Sequence, residues 1–226
     1  MFDPMWLLYV GPAMILGVIA QAKVKSAYAR ASRIPASSGL SGAECARRIL
    51  DSHDIHDVAV DRVKSFLGDH YDPSRRVLRL SPDVFDGRSL ASLGIAAHEV
   101  GHAIQHATDY APLKLRGALV PTASFGSNFA IILLIGGMFL QMTGLAIAGL
   151  ALFGLVVVFQ LVNLPVEFNA SSRARRILVT TGMITQAEER VVGNVLNAAA
   201  LTYVAATITA IAQLLYFASI VFGRRH

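Results

Sequence analysis

Long apolar runs alternate with shorter polar stretches along this chain of 226 residues. One run lies near each end, at residues 6–20 and 198–222, and two adjoining runs lie at residues 129–140 and 145–162. About 20 apolar residues in a helix are enough to cross a bilayer. The pattern therefore predicts about four transmembrane helices, of which the middle two form a hairpin that begins near Thr122.

The polar stretches predict a small α+β region between the apolar runs. Ser41 and Glu44 have the spacing of a capping box, which predicts the start of a short helix. Residues 58–66 and 76–81 have the composition and alternation of two strands. We expect these strands to form a hairpin, with residues 70–73 on its connector.

Three further helix starts are predicted from capping residues and from proline. Ser89 is a candidate N-cap for an apolar helix over residues 91–108. Pro165 suits the first turn of a helix, and Thr185 with Glu188 forms a second capping box. The expected fold class is a mainly α membrane protein with a small α+β insert.

The composition supports a membrane protein, because 54% of the residues are hydrophobic and only 15% are charged. The net charge is +5, and the positive residues lie next to apolar runs. They do not interleave with aromatic residues, so we expect contact with the lipid bilayer and no nucleic-acid partner. The one cysteine, Cys45, excludes an internal disulfide, and we expect it to be a small core residue.

Positive charge also predicts the orientation in the membrane. Lys23, Lys25, Arg30 and Arg33 follow the first apolar run, with no acidic residue among them. The positive-inside rule then places residue 23 onward in the cytoplasm. The stretch before the run lacks the positive charge of a signal peptide, so we expect the run to be the first helix of a multi-pass protein.

The sequence His98-Glu99-Val100-Gly101-His102 carries the candidate chemistry. On a helix, His98 and His102 leave the same face one turn apart, where two imidazoles can bind one Zn²⁺. Glu99 adjoins them and can accept a proton from a metal-bound water. Apolar neighbours predict a buried helix, which favours a metal over the alternative of core histidines satisfied by hydrogen bonds.

A zinc hydrolase usually has three protein ligands and one open position. His106 lies a further turn along the helix, but three successive i+4 positions drift around the axis, so we expect it to support the site or lie at the surface. Glu167 is the better candidate, since two membrane spans after His102 return the chain to the same side. The alternative is a carboxylate favoured only by the N-terminal dipole of a helix.

Several stretches resemble a known family. The motif at residues 98–102, together with Glu167-Phe168-Asn169-Ala170-Ser171, is similar to the gluzincin pattern of membrane proteases such as HtpX and the CAAX prenyl proteases. More closely, the chain resembles the YugP-like neutral zinc metallopeptidases of bacteria. The stretches that carry this resemblance span most of the chain: residues 39–44, 70–73, 80–84, 94–105, 164–174 and 196–203.

The resemblance implies a zinc-dependent metalloendopeptidase in the bacterial cytoplasmic membrane, with its active site facing the cytoplasm. It implies one Zn²⁺ per chain on His98, His102 and Glu167, and Glu99 as the base that activates a zinc-bound water. The implied substrates are peptides or proteins, membrane proteins among them; the sequence identifies no adaptor, regulatory partner or oligomeric state. Ser171 stands where HtpX proteases have an aspartate that orients a ligand histidine. The other candidates for orienting, oxyanion or substrate contacts are His70, Tyr71, Arg173 and Tyr203.

These expectations divide the chain into five segments. Residues 1–22 form the N-terminal transmembrane helix, and residues 23–121 form the cytoplasmic zinc-peptidase region. Residues 122–163 form the transmembrane hairpin. Residues 164–197 form cytoplasmic helices with the third ligand, and residues 198–226 form the C-terminal transmembrane helix.

Two other functions stay open from the sequence. One is a membrane scaffold or binding protein with a structural zinc, and the other is a zinc-dependent hydrolase of a lipid or another non-peptide substrate. Structural zinc commonly has four protein ligands that include cysteine. A single cysteine and a glutamate beside the first histidine therefore favour the peptidase.

Overall fold

The computed structural model describes residues 4–63 and 68–223. Within these ranges the chain is mostly helical, with one small sheet, so the predicted fold class is confirmed. The helices are α1 (Pro4–Ala31), α2 (Gly42–Ser52), α3 (Pro82–Phe85), α4 (Leu90–Ala107), α5 (Ala111–Phe139), α6 (Thr143–Thr180) and α7 (Gln186–Gly223). The strands are β1 (Ala59–Arg62), β2 (His70–Asp72) and β3 (Val77–Leu80).

Four of the described helices, α1, α5, α6 and α7, are long and apolar enough to cross a membrane. The shortest has 28 residues. Since a helix rises about 1.5 Å per residue, each of the four exceeds the roughly 30 Å of hydrocarbon in a bilayer. They expose large apolar side chains, such as Leu8 at 68% and Phe139 at 85%. Such surfaces suit lipid rather than water, and the prediction of about four helices of this kind is confirmed.

The chain divides into two compact units. The first comprises Met1–Ala20, Lys114–Pro165 and Leu201–His226, and the second comprises Gln21–Leu113 and Val166–Ala200. In the first unit, α5 and α6 pack as an antiparallel hairpin through small residues. A Cβ added at Gly149 would lie 2.5 Å from the backbone nitrogen of Leu134, so glycine is what permits this close approach.

The sheet of the second unit has the strand order β1-β3-β2. β1 pairs with β3 in parallel, and β2 pairs with β3 antiparallel. The predicted hairpin between residues 58–66 and 76–81 is therefore wrong, because the hairpin partner of β3 is β2, within the stretch predicted as a connector. Three residues are too few for alternation to reveal a strand. The end of the predicted first strand, residues 64–66, lies outside the described residues.

Helix starts predicted from capping residues are confirmed. Ser41 N donates to Glu44 Oε2 at 2.7 Å, and Glu44 N donates to Ser41 Oγ at 3.2 Å, which closes the first capping box. Thr185 and Glu188 make the same two contacts before α7, at 2.7 Å and 3.2 Å. Each box satisfies backbone donors that have no partner within their helix.

Proline interrupts neither α5 nor α6. Helix α6 continues through Pro165, so the helix start predicted there is wrong. Helix α5 begins at Ala111 and continues through Pro121, and the start of the membrane span near Thr122 stays a prediction. A proline removes one backbone donor, and the remaining hydrogen bonds of a long apolar helix preserve its course. Glu167 consequently lies inside a helix, where the N-terminal dipole does not account for its carboxylate.

The core of the second unit contains Cys45. Its side chain is fully buried, and Sγ lies 3.6 Å from Met183 Sδ. Burial raises the pKa of Cys45 to about 12, so the thiol stays protonated at neutral pH. This environment is that of a packing residue, as expected from the sequence.

Candidate metal centre

Helix α4 carries His98, Glu99 and His102 in the interior of the second unit. Ser89 caps the start of the helix as predicted, because its Oγ accepts a hydrogen bond from Ser92 N at 3.2 Å. The two imidazole rings leave the helix one turn apart, with centroids separated by 4.8 Å and planes at 86°. Glu99 and His102 are both buried. Two imidazoles therefore share one side of a buried helix.

Helix α6 brings Glu167 to these two rings. Glu167 is 3% exposed, and its Oε2 lies 3.3 Å from His98 Nε2 and 3.8 Å from His102 Nε2. One ligand atom from each of the three residues lies within 4.8 Å of the others. The three predicted ligands thus come together, although α4 and α6 are far apart in the sequence.

The spacing of these atoms fits a tetrahedral zinc ion. Two ligand atoms at about 2.0–2.1 Å from the ion, seen at the tetrahedral angle, are roughly 3.3–3.4 Å apart. The separations of Glu167 Oε2 from the two histidine nitrogens, 3.3 Å and 3.8 Å, are within about half an ångström of this value. Two imidazoles and one carboxylate are also a donor set used by zinc hydrolases. The residues present therefore fit the metal.

Each imidazole is also held through its other ring nitrogen. Ser171 Oγ lies 3.1 Å from His98 Nδ1, and Gln105 Oε1 lies 3.0 Å from His102 Nδ1. Sequence reasoning named Ser171 for such a contact but missed Gln105. Gln105 could have been recognised because it is a polar residue three positions after His102 in an otherwise apolar helix. A buried amide requires hydrogen-bond partners, and His102 is within reach on the same face.

Glu99 is held by the edge of the sheet. Its Oε2 accepts a hydrogen bond from Tyr71 N on β2 at 3.1 Å. Burial raises the pKa of Glu99, and the carboxylate of Glu167 acts in the same direction, while His98 and the Tyr71 N–H oppose the rise. A carboxylate with a raised pKa is a stronger proton acceptor, and this one lies beside the converging side chains of His98, His102 and Glu167.

Tyr71 on β2 and His106 on α4 are joined by a hydrogen bond between their side chains. Tyr71 Oη lies 2.7 Å from His106 Nδ1, and the ring centroids are 5.8 Å apart. Burial raises the pKa of Tyr71, so its hydroxyl stays protonated. Among the described residues, His106 is not part of the group whose ligand atoms converge.

The remaining candidates make other contacts. His70 is exposed, and its ring contacts Gly68 O at 2.6 Å and an Arg79 nitrogen at 3.2 Å. Arg173 Nε donates to Asn169 Oδ1 at 2.8 Å. Tyr203 lies on α7 and belongs to the first unit. The roles suggested for His70, Arg173 and Tyr203 stay predictions.

Gly101 permits α6 to approach α4 beside the ligand cluster. A Cβ added at Gly101 would lie 2.8 Å from the backbone oxygen of Ala170, which neighbours Ser171. Such contacts are too short for real atoms, and the neighbour here is backbone.

Gly101→Ala is expected to lower both the melting temperature and the affinity for zinc. The added methyl group must separate α4 from α6, and overpacking of this kind costs about 1–3 kcal/mol. Thermal unfolding and zinc titration measure the two effects. Gly117→Ala is the matched control, because a Cβ there meets nothing within 4 Å and the exchange should be neutral or slightly stabilising. Wild-type values for Gly101→Ala would contradict the close packing.

Comparisons with known proteins agree with this arrangement. The chain matches the sequence model of a family described as "Putative neutral zinc metallopeptidase" over residues 6–222. It is 50% identical over 213 residues to the "Putative membrane protease YugP" of Bacillus subtilis (strain 168), which covers 94% of this chain and 95% of that protein. No solved structure matches the chain significantly. The resemblance to the YugP-like neutral zinc metallopeptidases is confirmed.

Proposed function

We propose that this chain, which belongs to the family of neutral zinc metallopeptidases, is a membrane-embedded peptidase whose site consists of His98, Glu99, His102 and Glu167. One observation carries the proposal. The Nε2 atoms of both histidines converge with Glu167 Oε2 inside the protein, and a second buried carboxylate, Glu99, lies on the same helix as the histidines. This donor set with an adjacent glutamate is the H-E-x-x-H arrangement of a gluzincin.

Each residue of the site has a distinct role in this proposal. His98, His102 and Glu167 hold one zinc ion, which when bound acts as a Lewis acid and lowers the pKa of a water molecule. Glu99 accepts a proton at its carboxylate from the water that attacks the peptide carbonyl carbon, and it delivers this proton to the amine that leaves when the C–N bond breaks. The N–H of Tyr71 holds Glu99 Oε2 in place for this transfer. Ser171 and Gln105 hold the two imidazoles through Nδ1.

Zinc-dependent peptide cleavage tests the proposed activity. Purified protein loaded with zinc is expected to cleave members of a mixed peptide library, with the products identified by mass spectrometry. A chelator should abolish cleavage, and added zinc should restore it. Hydrolysis of a lipid or another non-peptide substrate without peptide cleavage would favour a different hydrolase. Full zinc occupancy without any hydrolysis would favour a scaffold with a structural metal.

We further propose a multi-pass protein of the bacterial cytoplasmic membrane with its catalytic residues on the cytoplasmic side. Four helices of sufficient length support four spans, and the curated relative is described as a membrane protease. Positive side chains follow the apolar parts of α1 and α6, which favours the cytoplasm for these segments. They are Lys23, Lys25, Arg30, Arg33, Arg173, Arg175 and Arg176.

Labelling of single cysteines tests this orientation. In a Cys45→Ala background, a membrane-impermeant maleimide added to intact cells is expected to label Thr143→Cys but not Ser74→Cys. Both positions are exposed, and Thr143 begins α6 at the turn of the hairpin. Permeabilised cells provide the control, because Ser74→Cys should then become labelled. Labelling of Ser74→Cys alone in intact cells would invert the topology.

A further inference from the structure

Gln105 joins the candidate metal centre to the helix that carries Glu167. Its side chain is fully buried on α4 and makes three hydrogen bonds. Oε1 lies 3.0 Å from His102 Nδ1, while Nε2 lies 2.8 Å from Val166 O and 3.0 Å from Asn169 Oδ1. Both amide hydrogens and the amide oxygen are therefore engaged.

The partners of Gln105 fix which way its amide points. Val166 O is a backbone carbonyl and can only accept, so the atom of Gln105 that faces it must be the NH₂ group. Arg173 Nε can only donate, so the atom of Asn169 that faces it must be the amide oxygen. That same oxygen accepts from Gln105 Nε2. Gln105 must consequently present its oxygen to His102.

This orientation determines the tautomer of His102. An amide oxygen can only accept, so in the neutral ring Nδ1 carries the hydrogen and Nε2 carries the lone pair that a metal requires. Nε2 is the atom that lies 3.8 Å from Glu167 Oε2. His98 differs, because the Ser171 hydroxyl can donate or accept and is compatible with both tautomers.

We infer that Gln105 is a positioning residue that fixes His102 in its metal-binding tautomer before zinc binds. Asn169 and Arg173 extend the same hydrogen-bond chain and hold the amide of Gln105 in its orientation. The two histidines are therefore not held equivalently, because the Gln105 amide permits one neutral tautomer of His102 while the Ser171 hydroxyl is compatible with both tautomers of His98. This inference rests on the zinc site proposed above, and it gives Arg173 a role other than substrate contact.

Nuclear magnetic resonance of the zinc-free protein reads the tautomer directly. With ¹⁵N-labelled histidine and a pH at which the rings are neutral, long-range ¹H–¹⁵N correlations distinguish the protonated ring nitrogen from the other. The His102 signals, identified by their loss in His102→Ala, should show hydrogen on Nδ1. In Gln105→Met they should shift toward hydrogen on Nε2. If the neutral His102 ring of the wild-type protein carries its hydrogen on Nε2, the inference is overturned by that spectrum alone.

Zinc affinity separates this role from simple packing between α4 and α6. Gln105→Met keeps the length of the side chain but removes the acceptor, and it should weaken zinc binding about 10–100-fold. Gln105→Glu keeps an acceptor for His102 Nδ1, so it should recover most of that loss, although the melting temperature falls because the donors to Val166 O and Asn169 are gone. Ser171→Ala is the matched variant at His98 and should weaken zinc less than Gln105→Met.

Three affinity results and one magnetic-resonance result would overturn the inference. They are a Gln105→Met affinity within about twofold of wild type, a Gln105→Glu affinity as low as that of Gln105→Met, a larger loss in Ser171→Ala than in Gln105→Met, and unchanged His102 signals in Gln105→Met. Failure of the proposed function gives a different pattern. A wild-type protein that binds no zinc would remove the metal site, while the tautomer measurement still decides the role of Gln105.

Discussion

Glu99→Gln is expected to lower peptide hydrolysis by about 10²–10⁴-fold, while zinc content and melting temperature change little. Glutamine has nearly the same shape, and its oxygen can still accept the Tyr71 N–H that Glu99 Oε2 accepts. It cannot accept the proton that the proposed reaction requires. The measurement is the rate of peptide cleavage per bound zinc, with the metal quantified on the same sample.

A glutamate elsewhere in the chain provides the matched control for this exchange. Glu44→Gln makes the same chemical change in the capping box of α2, where glutamine can replace glutamate. Its rate per zinc should equal that of the wild type. A wild-type rate in Glu99→Gln would mean that another group accepts the proton or that hydrolysis occurs at a different site.

Glu167→Ala is expected to have the second large effect, which is the loss of zinc. The change removes one of three proposed ligands and the negative charge that faces both imidazoles at 3.3 Å and 3.8 Å. Loss of a group that only hydrogen-bonds to a metal ligand lowers metal affinity about 10–100-fold. Loss of Glu167, a proposed ligand itself, should lower the zinc affinity by more than this. Glu167→Asp retains a carboxylate on a shorter side chain and should keep part of the affinity. Equilibrium zinc titration of each purified variant measures the effect.

His106→Ala is the control for this prediction. His106 lies on the same helix as the ligands but contacts Tyr71, so its loss should leave zinc affinity near the wild-type value. The double variant His98→Ala and His102→Ala should lose zinc as completely as Glu167→Ala does. Full zinc occupancy in that double variant would exclude the proposed site.

The part of the site on α4 could be predicted because its geometry is local. Helical periodicity places His98 and His102 on one face, and this placement does not depend on contacts with the rest of the chain. Glu167 could be chosen as the third candidate ligand by counting the predicted membrane spans, although the predicted helix start at Pro165 was wrong. Whether a proline begins or continues a helix depends on the hydrogen bonds around it, which composition does not reveal.

Other features depend on contacts between distant segments and could not be predicted. The three residues of β2 carry no periodic pattern, and β1 pairs in parallel with β3 although β2 lies between them in the sequence. The hydrogen bonds of Gln105 could not be predicted either, because its partners Val166 and Asn169 lie on another helix. Its burial on an apolar helix signalled that partners exist, but the sequence does not identify them.

Diffraction from crystals of the zinc-loaded protein, measured at the zinc absorption edge, tests the central claim most directly. The anomalous signal locates the ion, and the refined structure gives its ligands. We expect one zinc per chain, with the Nε2 atoms of His98 and His102 at about 2.0–2.1 Å and an oxygen of Glu167 at about 2.0–2.2 Å. A zinc ion whose third protein ligand is His106 or His70, with Glu167 well beyond coordinating distance, would contradict the account.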